Sequence, residues 1–227
     1  MTGRLVLFDS EGTLVDTGGA GMLALREAAR DLFGEDGPEL DLAGSTDEGL
    51  VRGILAHFEE PFSPERAQEF YRVYLGYLSQ HLAGGSFHGR VLPGVMDLLD
   101  AYRGAGAVLG LLTGNIAEGA AMKVRHYGME DYFAFGAYGD DHHDRNLLGP
   151  IALDRARAAT GVDYLASETL VIGDTPKDIA CGRAIGAMTV CVATGAFSAN
   201  ELRDHGADIV FETFVGVDPL ATVKRDG

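Results

Sequence analysis

Asp9 and Glu11 stand two positions apart, directly behind the apolar run Leu5-Val6-Leu7-Phe8 and directly before Gly12-Thr13. A carboxylate held at the end of a buried strand can act as a nucleophile, splitting one hard displacement into two easier ones through a covalent intermediate. Such a carboxylate is also a hard oxygen ligand for a divalent cation. An ordinary strand-to-loop junction, where Asp is common, explains the same residues without chemistry. Three more stretches carry polar residues suited to a site: Thr113-Gly114-Asn115, Asp144-Arg145-Asn146 and Gly173-Asp174-Thr175-Pro176-Lys177-Asp178. The first precedes a helix, whose free N–H groups and the Thr113 hydroxyl suit an anion; an Asn115 N-cap with nothing bound is the alternative. In the last, Asp174 is a candidate cation ligand beside Asp9. Thr175 followed three residues later by Asp178 also has the form of a plain helix cap.

These residues need elements to bring them together. The run Leu5 to Phe8 lacks alternation, which predicts a strand buried on both faces, as in a parallel sheet. Gly12 permits a sharp turn at its carboxyl end, where open α/β sheets bind ligands. A helix follows Asp16, with Met22, Leu25, Ala29 and Leu32 on one face. A second carries Leu50, Val51, Ile54, Leu55 and Phe58. Ser63-Pro64 starts a third as N-cap and first helical residue. Its stripe of Ala67, Phe70, Tyr71, Tyr74, Leu75, Leu78 and Leu82 is read as core, with hydroxyls reaching the surface. From Pro93 the pattern alternates: helix 95–102, strand 107–112, helix to about Tyr127, strand 133–137, polar loop 140–146, a helix opened by Pro150 and a strand 168–172. A helix from Pro176 to Gly186, strand 189–193, a capping box Ser198-x-x-Glu201 and strand 207–211 complete it. Strands alternating with helices imply βαβ units and one parallel sheet. Its strand ends converge, so Asp9, Thr113, Arg145 and Asp174 meet although far apart in sequence. The fold class is α/β, a Rossmann-like parallel sheet with an inserted all-helical unit: residues 1–16 and 89–227 form the core and 17–88 the insertion.

The 227 residues are 46% apolar and 23% charged, a normal soluble composition. A net charge of −16 argues against nucleic acid and acidic membranes as partners. It also means that an anionic substrate needs local positive charge or a metal. No apolar run reaches transmembrane length, and a cytoplasmic location is the expectation. Cys181 and Cys191 do not make a disulfide framework and are read as buried thiols.

With these motifs placed, the stretch Phe8-Asp9-Ser10-Glu11-Gly12-Thr13 resembles the nucleophile motif of the haloacid dehalogenase superfamily, usually Asp-x-Asp-Gly-Thr. Gly173 to Asp178 resembles its acidic motif. The resemblance spans essentially the whole chain, and the segment Ala193-Thr194-Gly195 to Phe211 also fits phosphoglycolate-phosphatase-like members. It implies a Mg²⁺-dependent phosphatase acting on a small soluble phosphate monoester through an aspartyl-phosphate on Asp9. Under it, Asp9, the main-chain carbonyl of Glu11 and Asp174 hold the metal, with Asp178 in support. Thr113, Gly114 and Asn115 bind phosphate. The superfamily's Lys or Arg after the third strand is represented by Arg145, since no Lys lies between Lys123 and Lys177. Lys177 itself is expected to face solvent. The insertion corresponds to a helical cap, and Gly44-Ser45-Thr46-Asp47 to its substrate-specificity loop; Ser45 stands where many phosphoglycolate-phosphatase-like members have Arg. Ser45 and Thr46 equally fit a helix cap. His142 and His143 fit no standard metal spacing and are read as a polar loop. A cap of this size excludes proteins and duplex nucleic acid as substrates; a monomer or homodimer is expected.

Glu11 departs from the superfamily's second Asp, which serves as acid and base there. Glu keeps the carboxylate, but its extra methylene lengthens the reach by roughly 1.5 Å, and ~1 Å of misplacement costs about a hundredfold in rate. On sequence grounds Glu11→Asp should therefore raise turnover and Glu11→Gln lower it. A phosphomutase on the same core, or a phosphate-ligand-binding protein with impaired turnover, are the alternatives.

Overall fold

The computed structural model describes residues 3–218. Its strands are β1 (Leu5–Phe8), β2 (Val15–Asp16), β3 (Arg90–Val91), β4 (Val108–Leu112), β5 (Phe135–Ala137), β6 (Thr169–Gly173), β7 (Met188–Val192) and β8 (Ile209–Phe211). Its helices are α1 (Ala20–Phe33), α2 (Asp47–His57), α3 (Pro64–Ala83), α4 (Val95–Gly104), α5 (Ala117–His126), α6 (Leu148–Thr160), α7 (Pro176–Ala184) and α8 (Ala199–Asp204).

Four consecutive apolar residues make β1 buried on both sides. Val6 and Phe8 pack on one face with Leu98 and Leu99 of α4 and Val124 of α5. Leu5 and Leu7 pack on the other with Leu148, Ala152 and Ala156 of α6. That two-sided burial puts β1 inside a six-stranded sheet of order β5-β4-β1-β6-β7-β8, all pairings parallel. The chain builds outward from β1 through β4 to β5, then crosses to β6 and builds outward again. The order reverses at β1, which places a crevice at its carboxyl end.

Helices α1, α2 and α3 form a second apolar cluster around Leu25, Val51, Ile54, Phe70, Tyr74 and Leu78, joined by Ile116 from the sheet-bearing part. The local signals act as read: Ser63 accepts from Arg66 N at the start of α3 with Pro64 in the first turn, and Gly34 closes α1 at φ 87°. The α3 stripe is core, but the Tyr71 and Tyr74 side chains are buried rather than reaching the surface, and the Tyr71 hydroxyl has no partner among the described residues. Helix α6 begins at Leu148, two residues before Pro150. Proline there costs no hydrogen bond, because the first turn of a helix has no intrahelical acceptors for its N–H groups. The short pair β2 and β3 is unanticipated: the segments leaving and re-entering the sheet-bearing part align antiparallel, Val15 with Val91 and Asp16 with Arg90. Two residues per strand give no periodicity to read. Cys181 and Cys191 are free and buried.

Candidate active site

Four strand ends deliver the site, those of the neighbouring strands β5, β4, β1 and β6. Asp9 follows β1, Thr113 follows β4 and Asp174 follows β6, and all three are buried. The Asp9 N–H donates to the Ile172 carbonyl (2.9 Å), so the rigid sheet ladder extends to the carboxylate. The turn after Asp9 needs Gly12, at φ 79°, for a second reason: a Cβ there would lie 2.4 Å from Asp174 Oδ2. Thr13 donates to Asp174 Oδ1 (3.1 Å), and Thr194 donates to the Gly12 carbonyl (2.6 Å), locking the turn against the end of β7.

Asp9, Asp174 and Asp178 each offer an oxygen within 4.8 Å of the others. Burial pushes the Asp9 and Asp174 carboxyls up from their ordinary range, with Asp9 itself the next cause for Asp174. Such a cluster needs a cation, and one is supplied by Arg145, from the loop after β5. Its buried guanidinium donates through Nη2 to Asp9 Oδ1 (2.9 Å), to the Leu112 carbonyl (3.3 Å) and to Asp178 Oδ1. Its Nε is buried with no acceptor among the described residues. A buried N–H without a partner costs about 1–3 kcal/mol, and an anionic oxygen in the crevice would supply one. Asp178 meets both readings of its position. It accepts from Thr175 N (3.0 Å) and Thr175 Oγ1 (2.7 Å) in a capping box for α7, and it pairs with Arg145. With both oxygens engaged by protein donors, Asp178 braces Arg145, while Asp9 and Asp174 are the pair placed to hold a metal. All-carboxylate oxygen donors suit a hard cation such as Mg²⁺.

Glu11 turns away from this cluster. Its Oε1 accepts from Thr17 N (2.7 Å) and Thr17 Oγ1 (3.0 Å), and its Oε2 from Lys123 Nζ (3.2 Å). Lys123 is a site residue that sequence reasoning missed. It projects from α5, whose residues Ala120 and Val124 face the core, and its side chain is only 3% exposed. The available signal was a lysine on the buried stripe of an amphipathic helix. Lys123 also donates to Asn115 Oδ1 (2.9 Å).

The hydroxyl chain beyond Asn115 has one consistent polarity. An ammonium only donates, so the Asn115 oxygen must face it. Ser10 Oγ, 2.9 Å from that oxygen, must then donate its single proton to it. Thr113 Oγ1, 2.9 Å from Ser10 Oγ, is left as the donor in that contact. Its lone pairs in turn accept from Asn115 N (3.3 Å). The expectation that Thr113 offers a free O–H to an anion is thus modified: its proton is committed to Ser10 in this arrangement. Main-chain groups of the Thr113–Asn115 loop and Arg145 still border the crevice, a cavity of about 370 Å³ also lined by Asp9, Glu11, Ser45, Asp174 and Gly195.

The inserted helices reach this crevice through the loop before α2. Thr46 caps α2, accepting from Gly49 N (3.1 Å), and donates to the His143 carbonyl (2.7 Å). Ser45 donates to the Asp41 carbonyl and accepts from Lys177 Nζ, both at 2.7 Å. Lys177 therefore bridges to the insertion while its side chain stays 43% exposed to solvent, because α7 carries it beside the 41–45 loop. Asp47 N donates to the Gly114 carbonyl (2.6 Å), and Asp47 Oδ2 accepts from Ile116 N (2.9 Å). Asp47 thus caps α5 from another part of the chain, where Ile116 has no capping side chain of its own. His142 and His143 stack on each other at 4.5 Å, and neither belongs to the acidic cluster.

A family model for haloacid dehalogenase-like hydrolases matches residues 4–186. The chain belongs to the haloacid dehalogenase-like hydrolases. Among its curated relatives, the phosphoglycolate phosphatase of Chromobacterium violaceum is 27% identical over 215 residues, covering 91% of this chain and 90% of the relative. The N-acetylmuramic acid 6-phosphate phosphatase of Pseudomonas aeruginosa is 27% identical over 211 residues, covering 92% and 90%. Among solved structures, CbbY of Rhodobacter sphaeroides, in complex with xylulose-(1,5)bisphosphate, superposes with a TM-score of 0.74 at 19% identity over 97% of this chain and 99% of that one. The Rossmann-like parallel-sheet fold read from the alternating strands is this chain's fold.

Proposed function

We propose that this chain, a phosphatase by its family and its relatives, hydrolyses a small soluble phosphate monoester through an aspartyl-phosphate on Asp9 and requires Mg²⁺. The observation that carries the reading is the buried set of Asp9, Asp174 and Asp178 around Arg145, at the strand ends that border a 370 Å³ crevice. A carboxylate nucleophile must approach a phosphate dianion, so charge has to be neutralised locally in a chain of net charge −16. Asp9 and Asp174, with the Glu11 carbonyl, would hold the metal, which neutralises the phosphate and polarises its P–O bonds when bound.

This chain's residues supply the rest. Arg145 holds Asp9 Oδ1 and keeps a buried Nε–H for a phosphoryl oxygen. Main-chain groups of Thr113, Gly114 and Asn115 cradle the phosphate at the approach to α5. Asp9 attacks phosphorus, the P–O bond to the alcohol breaks, and Glu11 gives the departing oxygen a proton. Glu11, then a carboxylate, takes a proton from the water that cleaves the acyl phosphate. Asp178 braces Arg145 without touching substrate. Residues 17–88 are the cap; Ser45 and Thr46, on the loop over the crevice, tune which alcohol fits, and closure keeps bulk water out. The chain works in the cytoplasm as a monomer or homodimer, without a nucleic-acid or membrane partner; among the described residues no helix is long and apolar enough to cross a membrane.

The test is phosphate release across sugar, glycolate and nucleotide monophosphates, with Mg²⁺ and with chelator. Turnover should need Mg²⁺ and vanish in Asp9→Asn while the melting curve is kept. Unchanged turnover in that variant removes Asp9 as nucleophile. Formation of a phosphorylated second sugar product instead of free phosphate would indicate a mutase.

A further inference from the structure

We propose that Lys123 is a positioning residue for Glu11, and that Glu11 and Lys123 form one unit in which the longer acid is matched by a buried base. This rests on the phosphatase reading for Glu11's role, but the pairing itself rests on geometry. The two residues lie 112 positions apart and meet at 3.2 Å. Their exposures are unequal: the Lys123 side chain is 3% exposed and that of Glu11 41%. Among the described residues the ammonium has two hydrogen-bond acceptors, Glu11 Oε2 and Asn115 Oδ1. Water is thus a replacement partner for the acid but scarcely for the base.

An Asp at position 11 would end roughly 1.5 Å short, beyond hydrogen-bond reach of Lys123 Nζ. It would leave the buried ammonium hydrogen-bonded to a neutral amide oxygen, with the Asp47 carboxyl acting on it only through space, which is a destabilising way to break a buried pair. The extra methylene of Glu11 is what closes the gap. Lys123 then does two things at once. It fixes the Glu11 carboxylate from the side opposite Thr17, and it turns the Asn115 oxygen toward itself, which sets the direction of the Ser10 and Thr113 hydroxyls. The acid/base end and the phosphate-binding end of the crevice are tied to one nitrogen. The sequence-based expectation for Glu11→Asp is accordingly reversed: the shorter acid should be slower, not faster.

The experiment is a double-mutant cycle of Glu11→Asp and Lys123→Met, with Asp9→Asn as control, read by thermal melting and by steady-state hydrolysis of p-nitrophenyl phosphate with Mg²⁺. Glu11→Asp should melt about 5 °C or more below the parent, and adding Lys123→Met should raise the melting temperature of Glu11→Asp by removing the stranded charge. In the parent, Lys123→Met should lower kcat at least about tenfold with KM changed less than about threefold. In the Glu11→Asp background the same substitution should change kcat less than about threefold. A merely structural lysine would leave the kcat of folded protein unmoved. Equal kcat losses in both backgrounds, or melting losses that simply add, overturn the proposal. If the parent releases no phosphate, or Asp9→Asn releases as much, the phosphatase reading fails, and the melting cycle decides the pairing alone.

Discussion

Replacing Asp47 by Asn should stabilise this protein, and by an amount that depends on pH. Asp47 opens α2 and is buried, and desolvation pushes its carboxyl up to about 6 from an ordinary 3.8, although Lys123 and the Ile116 N–H pull the other way. A folded-state value above the unfolded one means that folding prefers the protonated acid. That contribution is fully present below about pH 3.8 and is lost as pH rises through about 6. The displacement of about 2 units corresponds to roughly 3 kcal/mol at pH 7 and above, and to about half of that at pH 5. Asn has the same shape, keeps a carbonyl oxygen for the Ile116 N–H, gives up the oxygen that meets the Asn115 side chain, and carries no charge to desolvate. For a chain of this length, ~3 kcal/mol moves the melting temperature by roughly 6–12 °C. Melting curves of parent and Asp47→Asn at pH 5, 6, 7 and 8 without metal measure this. Asp9 and Asp174 titrate with the same sign, but they are present in both proteins and cancel in the difference. The gap should widen from pH 5 to about pH 7 and then level off. A variant no more stable than the parent at pH 8, or a gap independent of pH, would refute the argument that burial dominates at this cap.

Two further outcomes follow from the packing around the crevice. Arg145→Met leaves Asp9 and Asp178 buried without their cation, a loss of about 3–5 kcal/mol at neutral pH that acidification should partly restore as Asp9, whose carboxyl burial already pushes up, protonates; melting at pH 5 and pH 8 reads it. The same variant should lower turnover by a common factor on every phosphate ester, so a selective loss would point to another cation for the phosphate. Gly114→Ala puts a Cβ 1.9 Å from the Ser45 carbonyl oxygen, backbone that cannot swing aside. It should cost about 1–3 kcal/mol and make the 41–46 loop more susceptible to limited proteolysis; an unchanged melting temperature and cleavage pattern would show that the loop stands off from Gly114 in solution.

Much of this site was legible because its signals are local. Four apolar residues ending in Asp9 state a buried strand with a carboxylate at its mouth, and Gly173-Asp174 repeats the statement. Ser63-Pro64, Thr175 with Asp178, and Ser198 with Glu201 cap their helices as read, since a cap is decided within about four residues. Periodicity separated helices from strands, and parallel strands converge at one end, so Asp9, Thr113, Arg145 and Asp174 could be gathered without knowing their distances. What the chain could not state by itself is which side chain answers which. Lys123 lies on a helix face that reads as core, and only the seating of α5 against the Glu11 turn makes it an ion-pair partner. Asp47 reads as the start of α2, yet it also caps α5, because the insertion folds back onto Gly114 and Ile116. Asp178 reads as a cap and is also the brace of Arg145. The proton in the Thr113 hydroxyl is directed by an ammonium it never touches. Each of these depends on register and on groups tens of residues apart arriving at hydrogen-bond distance, with burial removing water as the alternative partner. Residue type therefore determined the kinds of chemistry available, and tertiary packing decided their pairing.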